Sequence, residues 1–401
     1  MKQQYDSYKP SGIDWIGDIP SHWDIQRMRY LCDIITGDKD TVNKVEDGIY
    51  PFYVRSPQIE RINSYSFDGE AVLMAGDGVG AGKVLHYANG KFDFHQRVYN
   101  FHNFKGIKGK LLYLYLKSLF KYKIEEGGAK NTVDSVRQPW LKDFPVCLPP
   151  LDEQEEIAAW LDEKCGEIDA AIAKVDREIE LIDELKQSEI SRVVTRGLNP
   201  DTPLRPSGID WIGDVPSHWT KCRFKNFMYL KTIPSVSEVK VGLENLESGS
   251  GKFIESDTEF EGNGVEFSPN NILYGKLRPY LRKVWLAEFS GNAVGDFFVF
   301  SNSPNSIAVY LKYVLLSDGF TKQADGSTFG AKMPRVSSEF ILTLPFYLPP
   351  LTEQQAIADY LDKKCAEIDG LKAKLSKKRE TLTELRQSII SEVVTGKRKV
   401  I

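Results

Sequence analysis

The chain has 401 residues, 41% of them hydrophobic and 27% charged, with a net charge of -4. That length points to two or three domains rather than one core, and that charge excludes nucleic-acid binding through overall basicity, so any such contact must come from local basic surfaces. With no apolar run of membrane-spanning length, no charged-then-apolar leader, no CxxC among five cysteines and no HExxH or zinc-type Cys/His cluster, the expectation is a cytoplasmic protein without disulfides or metal.

Residues 10–23 read PSGIDWIGDIPSHW, and the phrase returns at 206–219 with a single change, Ile19 to Val215. Repetition at a fixed period is the first thing to establish, because it decides the architecture. Trp15, Trp23, Trp211 and Trp219 of the two phrases are candidates either for anchors that tie each block to a shared frame or for contacts to a partner.

The block that follows, roughly 24–147, contains short runs rich in β-branched and aromatic residues (AVLMAG, KVLHYA, RVYNF) separated by turn residues, which predict strands. LLYLYLKSLF from Leu111 predicts a helix with its apolar stripe in the core. Residues 76–83, GDGVGAGK, imitate a phosphate loop but carry Asp77 where glycine is needed and Val84 where Ser or Thr is needed. They run on into strand-like sequence, so a glycine-rich hairpin is expected, with Lys83 at its end. Arg97, in HQRVYNF, fits either a core-edge ion pair or a nucleic-acid contact. Lys130 and Asn131, in GAKN, fall on an expected exposed loop and, with Lys83, are candidate nucleic-acid contacts.

From Leu148 the sequence reads LPPLDEQEEIAAWLDEKCGEIDAAIAKVDREIELIDELKQSEISRVVT; from Leu348 it reads LPPLTEQQAIADYLDKKCAEIDGLKAKLSKKRETLTELRQSIISEVVT. About 27 of roughly 48 positions are identical. Each copy predicts a long helix starting after tandem prolines, with Asp152 or Thr352 as cap and Glu153 or Glu353 in the first turn. In the first copy Cys165, Ile168, Ile172, Val175, Ile179 and Ile182 alternate spacings of three and four, a coiled-coil seam. The second seam keeps Cys365, Ile368, Leu375, Leu382 and Ile389 but is interrupted by Lys372 and Arg379, which suits an antiparallel or unlike partner. At 1.5 Å per residue such a helix is about 65 Å long, enough to act as a spacer.

The second block, roughly 220–347, repeats the pattern with NILYG, KVWLAEF and DFFVF as strands and SIAVYLKYVLLS as helix. Laid against the first block, Lys83-Val84 falls on Lys283-Val284, so the glycine-rich loop corresponds to KLRPYLRK. Lys276, Arg278, Tyr280, Arg282 and Lys283 place four cations and an aromatic ring in one hairpin; this is either a solvated charged loop or a DNA contact, in which Arg278 has the fork to read a guanine edge. Lys332, in the second Gly-Ala-Lys, matches Lys130. No catalytic set of side chains can be assembled at recognisable spacing.

The predicted fold is α+β: two globular mixed α/β domains separated by two long helices forming an antiparallel coiled coil, an internal duplication with pseudo-two-fold character. The boundaries are 1–147, 148–197, 198–347 and 348–401. The doubled WIGxIPxHW-type phrase and the doubled LPPLxEQxxIAxxLDxKxxxID opening closely resemble the specificity subunit of type I restriction-modification systems, over essentially the whole chain.

The resemblance implies that each block is a target recognition domain reading one half of an asymmetric bipartite site in double-stranded DNA, with the helices setting the gap. It implies a noncatalytic chain that binds no cofactor, partnered by two modification subunits carrying S-adenosylmethionine and two restriction subunits using ATP and Mg. Glu153, Gln154, Glu353 and Gln354, in the helix-opening motif, become candidate frame or partner contacts. The competing reading is a coiled-coil scaffold with two domains that bind ligands other than DNA.

Overall fold

The structure is a computed structural model that describes residues 4–126, 135–330 and 332–400. Among these, seven α-helices form: α1 (Gly109–Glu126), α2 (Gln138–Lys142), α3 (Leu151–Arg196), α4 (Ala308–Leu316), α5 (Asp318–Gly326), α6 (Ser338–Thr343) and α7 (Leu351–Val394). The two long helices start one residue after the tandem prolines. Asp152 and Thr352 thus lie inside the first turn rather than at the cap, and the Pro150 and Pro350 carbonyls accept from Gln154 and Gln354 N–H.

The chain divides into two compact units: residues 1–175 with 377–401, and residues 176–376. Each holds one Trp-rich phrase, one variable block, the front of the long helix after that block and the back of the other long helix. The units run through the expected spacer boundaries because both helices contribute to the globular cores.

In the first unit Ile157, Leu161 and Cys165 of α3, together with Ile389, Ile390, Val393 and Val394 of α7, join Ile16, Ile19 and Trp23 in one cluster. In the second, Ile190, Val193 and Val194 of α3, with Ile357, Ala358 and Leu361 of α7, join Ile212, Val215 and Trp219. Each fully buried aliphatic side chain stabilises its unit by about 1.5–3 kcal/mol, so these helix ends hold firmly to the phrase they cover.

Within each unit the helices run antiparallel. The first unit pairs Asp169 of α3 with Arg386 of α7 at 2.8 Å; the second pairs Asp183 with Lys372 at 2.6 Å and Lys186 with Asp369 at 2.6 Å. Lys372, read from the sequence as an interruption of the seam, is thus matched by an acid on the facing helix. Lys186 is buried, and its partner Asp369 also binds Lys252 at 2.7 Å. Burial raises the Asp369 carboxyl, but the two ammonium groups outweigh it and hold the carboxyl below its ordinary range.

Each block has its own sheet, and the two sheets follow the same strand order over four strands. In the first unit the strand order is Asp33–Thr36, Val98–His102, Phe67–Ala75, Leu85–Phe94, continuing into Tyr50–Tyr53 and Glu60–Ile62. In the second it is Met228–Lys231, Phe297–Asn302, Ile272–Gly275, Val284–Leu286, and the continuation is a separate four-stranded sheet of Pro234–Ser235, Gly264–Phe267, Gly291–Ala293 and Lys240–Val241.

The central strands lack polar alternation because both faces are covered. Val72 and Met74 face the cluster containing α1, while Ala71 and Leu73 face a second cluster with Phe92, Phe94 and Val98. Ile272 and Tyr274 likewise face the α4 and α5 cluster, and Leu273 faces Trp285 and Val299. Every strand and helix run anticipated from the blocks overlaps one of these elements, though KVWLAEF is strand only over Val284–Leu286 and KVLHYA only from Leu85.

Candidate nucleic-acid interface

Two kinds of site emerge, a duplicated frame and a pair of hairpins. In the frame, the Trp23 indole N–H donates to Glu153 Oε2 at 3.1 Å and the Trp219 indole N–H to Glu353 Oε2 at 3.1 Å. His22 and His218 reach the same carboxylates at 2.9 and 2.8 Å. A carboxylate in the first turn of a helix also complements the helix dipole, so the acid that receives the indole is placed where its charge is favoured.

Gln154 and Gln354, both fully buried, complete the junction. The Gln154 side-chain oxygen accepts from the Lys108 N–H at 2.8 Å, and its amide donates to the Gly106 and Pro149 carbonyls, each at 2.9 Å. Gln354 does the same with the Ile307 N–H at 2.9 Å and the Asn305 and Pro349 carbonyls at 3.1 and 2.8 Å. One glutamine therefore ties the start of each long helix to the loop that opens the block's helix. Trp15 stacks on Tyr122 and Phe144 at 5.5 Å, and Trp211 on Phe346 at 6.0 Å.

Both long helices end on a glycine in the left-handed region, Gly197 at φ +72° and Gly396 at φ +73°. A Cβ at Gly396 would sit 2.2 Å from Pro20, and one at Gly197 would sit 2.8 Å from Glu353. Glycine is required at both by conformation, and at Gly396 by contact as well.

The hairpins occupy the same place in each sheet. In the second unit, Lys276–Lys283 joins Ile272–Gly275 to Val284–Leu286. A short 3-10 turn, Pro279–Leu281, is flanked by Arg278 at φ 51° and Arg282 at φ 49°, two non-glycine residues in a strained region. The strain is held by side chains. The Arg282 guanidinium donates to Asp318 at 2.5 Å and to Gln187 of α3, and the Lys283 ammonium donates to the Leu243 carbonyl at 2.5 Å.

Arg282 and Lys283 are therefore turned into the protein and fasten the hairpin, unlike the free cations anticipated for that loop. Lys276 lies 3.7 Å from Asp296 and over the Phe298 ring. Arg278 and Tyr280 are left projecting, with Tyr280 51% exposed.

A second loop lies against this hairpin, joined by Arg278 N–H to the Pro334 carbonyl and Val336 N–H to the Lys276 carbonyl. Phe329 and Arg335 bond reciprocally at its base, and Lys332, Met333 and Phe329 are exposed, Phe329 at 62%. Arg335 grips Asp296 through Nε at 3.1 Å and Nη2 at 2.9 Å. These bonds hold the Asp296 carboxyl below its ordinary range, against a smaller upward push from burial.

In the first unit the corresponding loop is the expected glycine-rich hairpin, and no helix follows it. The Gly82 N–H returns to the Ala75 carbonyl, and the Gly76 N–H donates to the Arg97 carbonyl. Lys83 is exposed without a side-chain partner among the described residues. Asp77 lies between Arg55 Nη1 at 3.0 Å and Arg97 Nε at 3.6 Å, so Arg97 is an exposed ion-pair member. Lys130 and Asn131 lie outside the described residues.

Sequence reasoning missed Arg55, Asp296, Phe329 and Arg335. Asp296 was visible only as the first letter of a strand run, and Arg335 meets it across 39 positions. No group of three or more potential metal ligands occurs among the described residues, and no described helix is long and apolar enough to cross a membrane.

The sequence model of the type I restriction modification DNA specificity domain matches residues 20–180 and 270–378. The specificity subunit of the type I restriction enzyme EcoDI of Escherichia coli is 25% identical over 405 residues, spanning 95% of this chain and 89% of the relative. The putative MjaX specificity subunit of Methanocaldococcus jannaschii is 25% identical over 443 residues, spanning 96% of each.

A chain solved in a study of complex assembly and conformational transition of the type I restriction-modification system shares the fold, with a TM-score of 0.67 at 14% identity, covering 94% of this chain and 98% of that one. The family match takes in both long-helix openings, Gln154 and Gln354 among them, and most of both blocks. The chain therefore belongs to the family of type I restriction modification DNA specificity domains.

Proposed function

We propose that this chain supplies sequence recognition to a type I restriction-modification complex, each variable block reading one half of an asymmetric bipartite site in double-stranded DNA. The observation that carries the reading is the contrast between frame and hairpins. The Gln154 and Gln354 junctions bond in the same way in both units, whereas the hairpins between corresponding strands carry different side chains. Two identical readers on a two-fold frame would demand a palindrome; two unlike readers do not.

The chain itself does no chemistry in this reading. Two modification subunits bring S-adenosylmethionine and two restriction subunits bring ATP and Mg, docking on the duplicated frame, whose near-repetition offers two similar surfaces to like partners. The antiparallel helices fix the number of base pairs between the half-sites, and the complex works in the cytoplasm. The acidic pI of about 5.9 is compatible with DNA binding because the exposed cations Arg278, Lys332 and Lys83 are concentrated on the hairpins and their neighbouring loop.

The test is methylation of a pool of duplexes with randomised sequence by the chain assembled with its modification subunits. The expected result is a bipartite motif with unlike halves. Methylation without sequence preference would favour the scaffold reading instead.

A further inference from the structure

We propose that Arg335, braced by Asp296, is a base-reading arginine of the second block and that the base it reads is guanine. The inference rests on the DNA-recognition reading above and gives it a residue and a base. A guanidinium has two edges that can donate a pair of parallel hydrogen bonds, one formed by Nε with a terminal nitrogen and one by the two terminal nitrogens. Asp296 occupies the first edge of Arg335, at 3.1 Å from Nε and 2.9 Å from Nη2. The end-on edge, formed by Nη1 and Nη2, is not taken up by any other side chain among the described residues.

Two parallel donors on that edge match the paired acceptors N7 and O6 that guanine presents in the major groove. Adenine places a donor at the second position and is rejected.

The surroundings support the same reading. Arg335 is 36% exposed at its side chain, and its backbone bridges both Phe329 and Leu277, placing it at the base of two projecting loops. Those loops carry Arg278, Lys332, Tyr280, Met333 and Phe329 outward, cations and apolar groups together, as a duplex-facing surface requires. Asp296 is itself held by the sheet: its carbonyl accepts from the Lys276 N–H at 2.9 Å, and the Lys276 ammonium lies 3.7 Å from its carboxylate.

An arginine fixed in this way surrenders little side-chain freedom on binding, so its hydrogen bonds translate into discrimination. The first unit builds a related device from different positions, with Asp77 set between Arg55 and Arg97. An acid set beside exposed arginines near the hairpin is therefore present in both blocks.

The test compares the motif selected from a randomised duplex pool by the assembled methyltransferase carrying wild-type chain, Arg335→Lys, Arg335→Ala or Asp296→Asn. Arg335→Lys keeps the charge and the ion pair but loses the fork. It is expected to lower preference for guanine at one position of one half-site by about 5- to 150-fold while leaving total methylation of the pool nearly unchanged. Arg335→Ala should lose the same preference. Asp296→Asn, which loosens the brace without touching DNA, should weaken preference at that same position by a smaller factor and nowhere else.

An unchanged motif with Arg335→Lys overturns the inference, as does a loss spread evenly over all sequences, which would mark Arg335 as a phosphate contact. If Arg335→Lys or Arg335→Ala misfolds, Asp296→Asn decides alone. A wild-type complex that selects no motif would overturn the DNA reading itself; a wild-type motif that survives in the variants overturns only the role of Arg335.

Discussion

The Gln154 and Gln354 junctions and the two strand-connecting hairpins are both duplicated features, and they have diverged in opposite ways. The junctions keep the same side chain, one N–H and two carbonyl partners at corresponding positions, and nearly the same distances. The hairpins keep their place between corresponding strands, but one is glycine-rich with Asp77 held between arginines, and the other is a strained turn with Arg278 projecting. A buried junction has one solution, because each backbone N–H and C=O it covers must be paired. An exposed hairpin, once fastened at its ends, leaves its tip free to change.

Removing a junction should have the largest effect. Gln154→Ala leaves the Lys108 N–H and two carbonyls unpaired in a buried place, so a loss of about 3 kcal/mol is expected in denaturant unfolding, and Gln354→Ala should match it. Strongly unequal losses would break the equivalence of the frames. Trp23→Phe and Trp219→Phe each remove one charge-assisted indole bond and should cost about 1–2 kcal/mol by the same assay, again in parallel.

At the hairpins the expected change is in binding rather than stability. Arg278 projects without a side-chain brace among the described residues, so Arg278→Ala should weaken DNA binding evenly over sequences and reduce the salt slope by about 1, the mark of a phosphate contact. A change confined to one base would make it a reader instead. Lys372→Ala breaks a partly exposed pair with Asp183 and should cost no more than about 1 kcal/mol.

The smallest effect is on pH dependence. Because the Asp369 carboxyl is held below its ordinary value of 3.8, the stability it contributes is fully present above that value and is lost as pH falls through its lower folded value. Thermal midpoints of the wild type and Asp369→Asn should therefore differ by a constant amount near neutral pH and converge only in acid.

These contrasts also explain what could be read from sequence. The long helices, the frame phrases and the central strands were legible because local periodicity, proline placement and repetition specify them. The partner of each helix end was not. Ile389, Ile390, Val393 and Val394 cover the first phrase from the far end of the chain, and nothing local in α7 points there.

The hairpin cations were legible as a cluster but not as individuals. Arg282 and Lys283 are taken up by Asp318, Gln187 and the Leu243 carbonyl, groups supplied by distant segments, and Arg335 becomes prominent only when the fold brings Asp296 to it.

Two independent readers stand on one repeated frame. The most direct measurement replaces residues 24–147 with the corresponding block of another family member, assembles the chimera with the modification subunits and sequences the methylated sites. The expected outcome is a new sequence in one half of the motif, with the other half and the gap unchanged. A change in both halves, or in neither, would contradict the account.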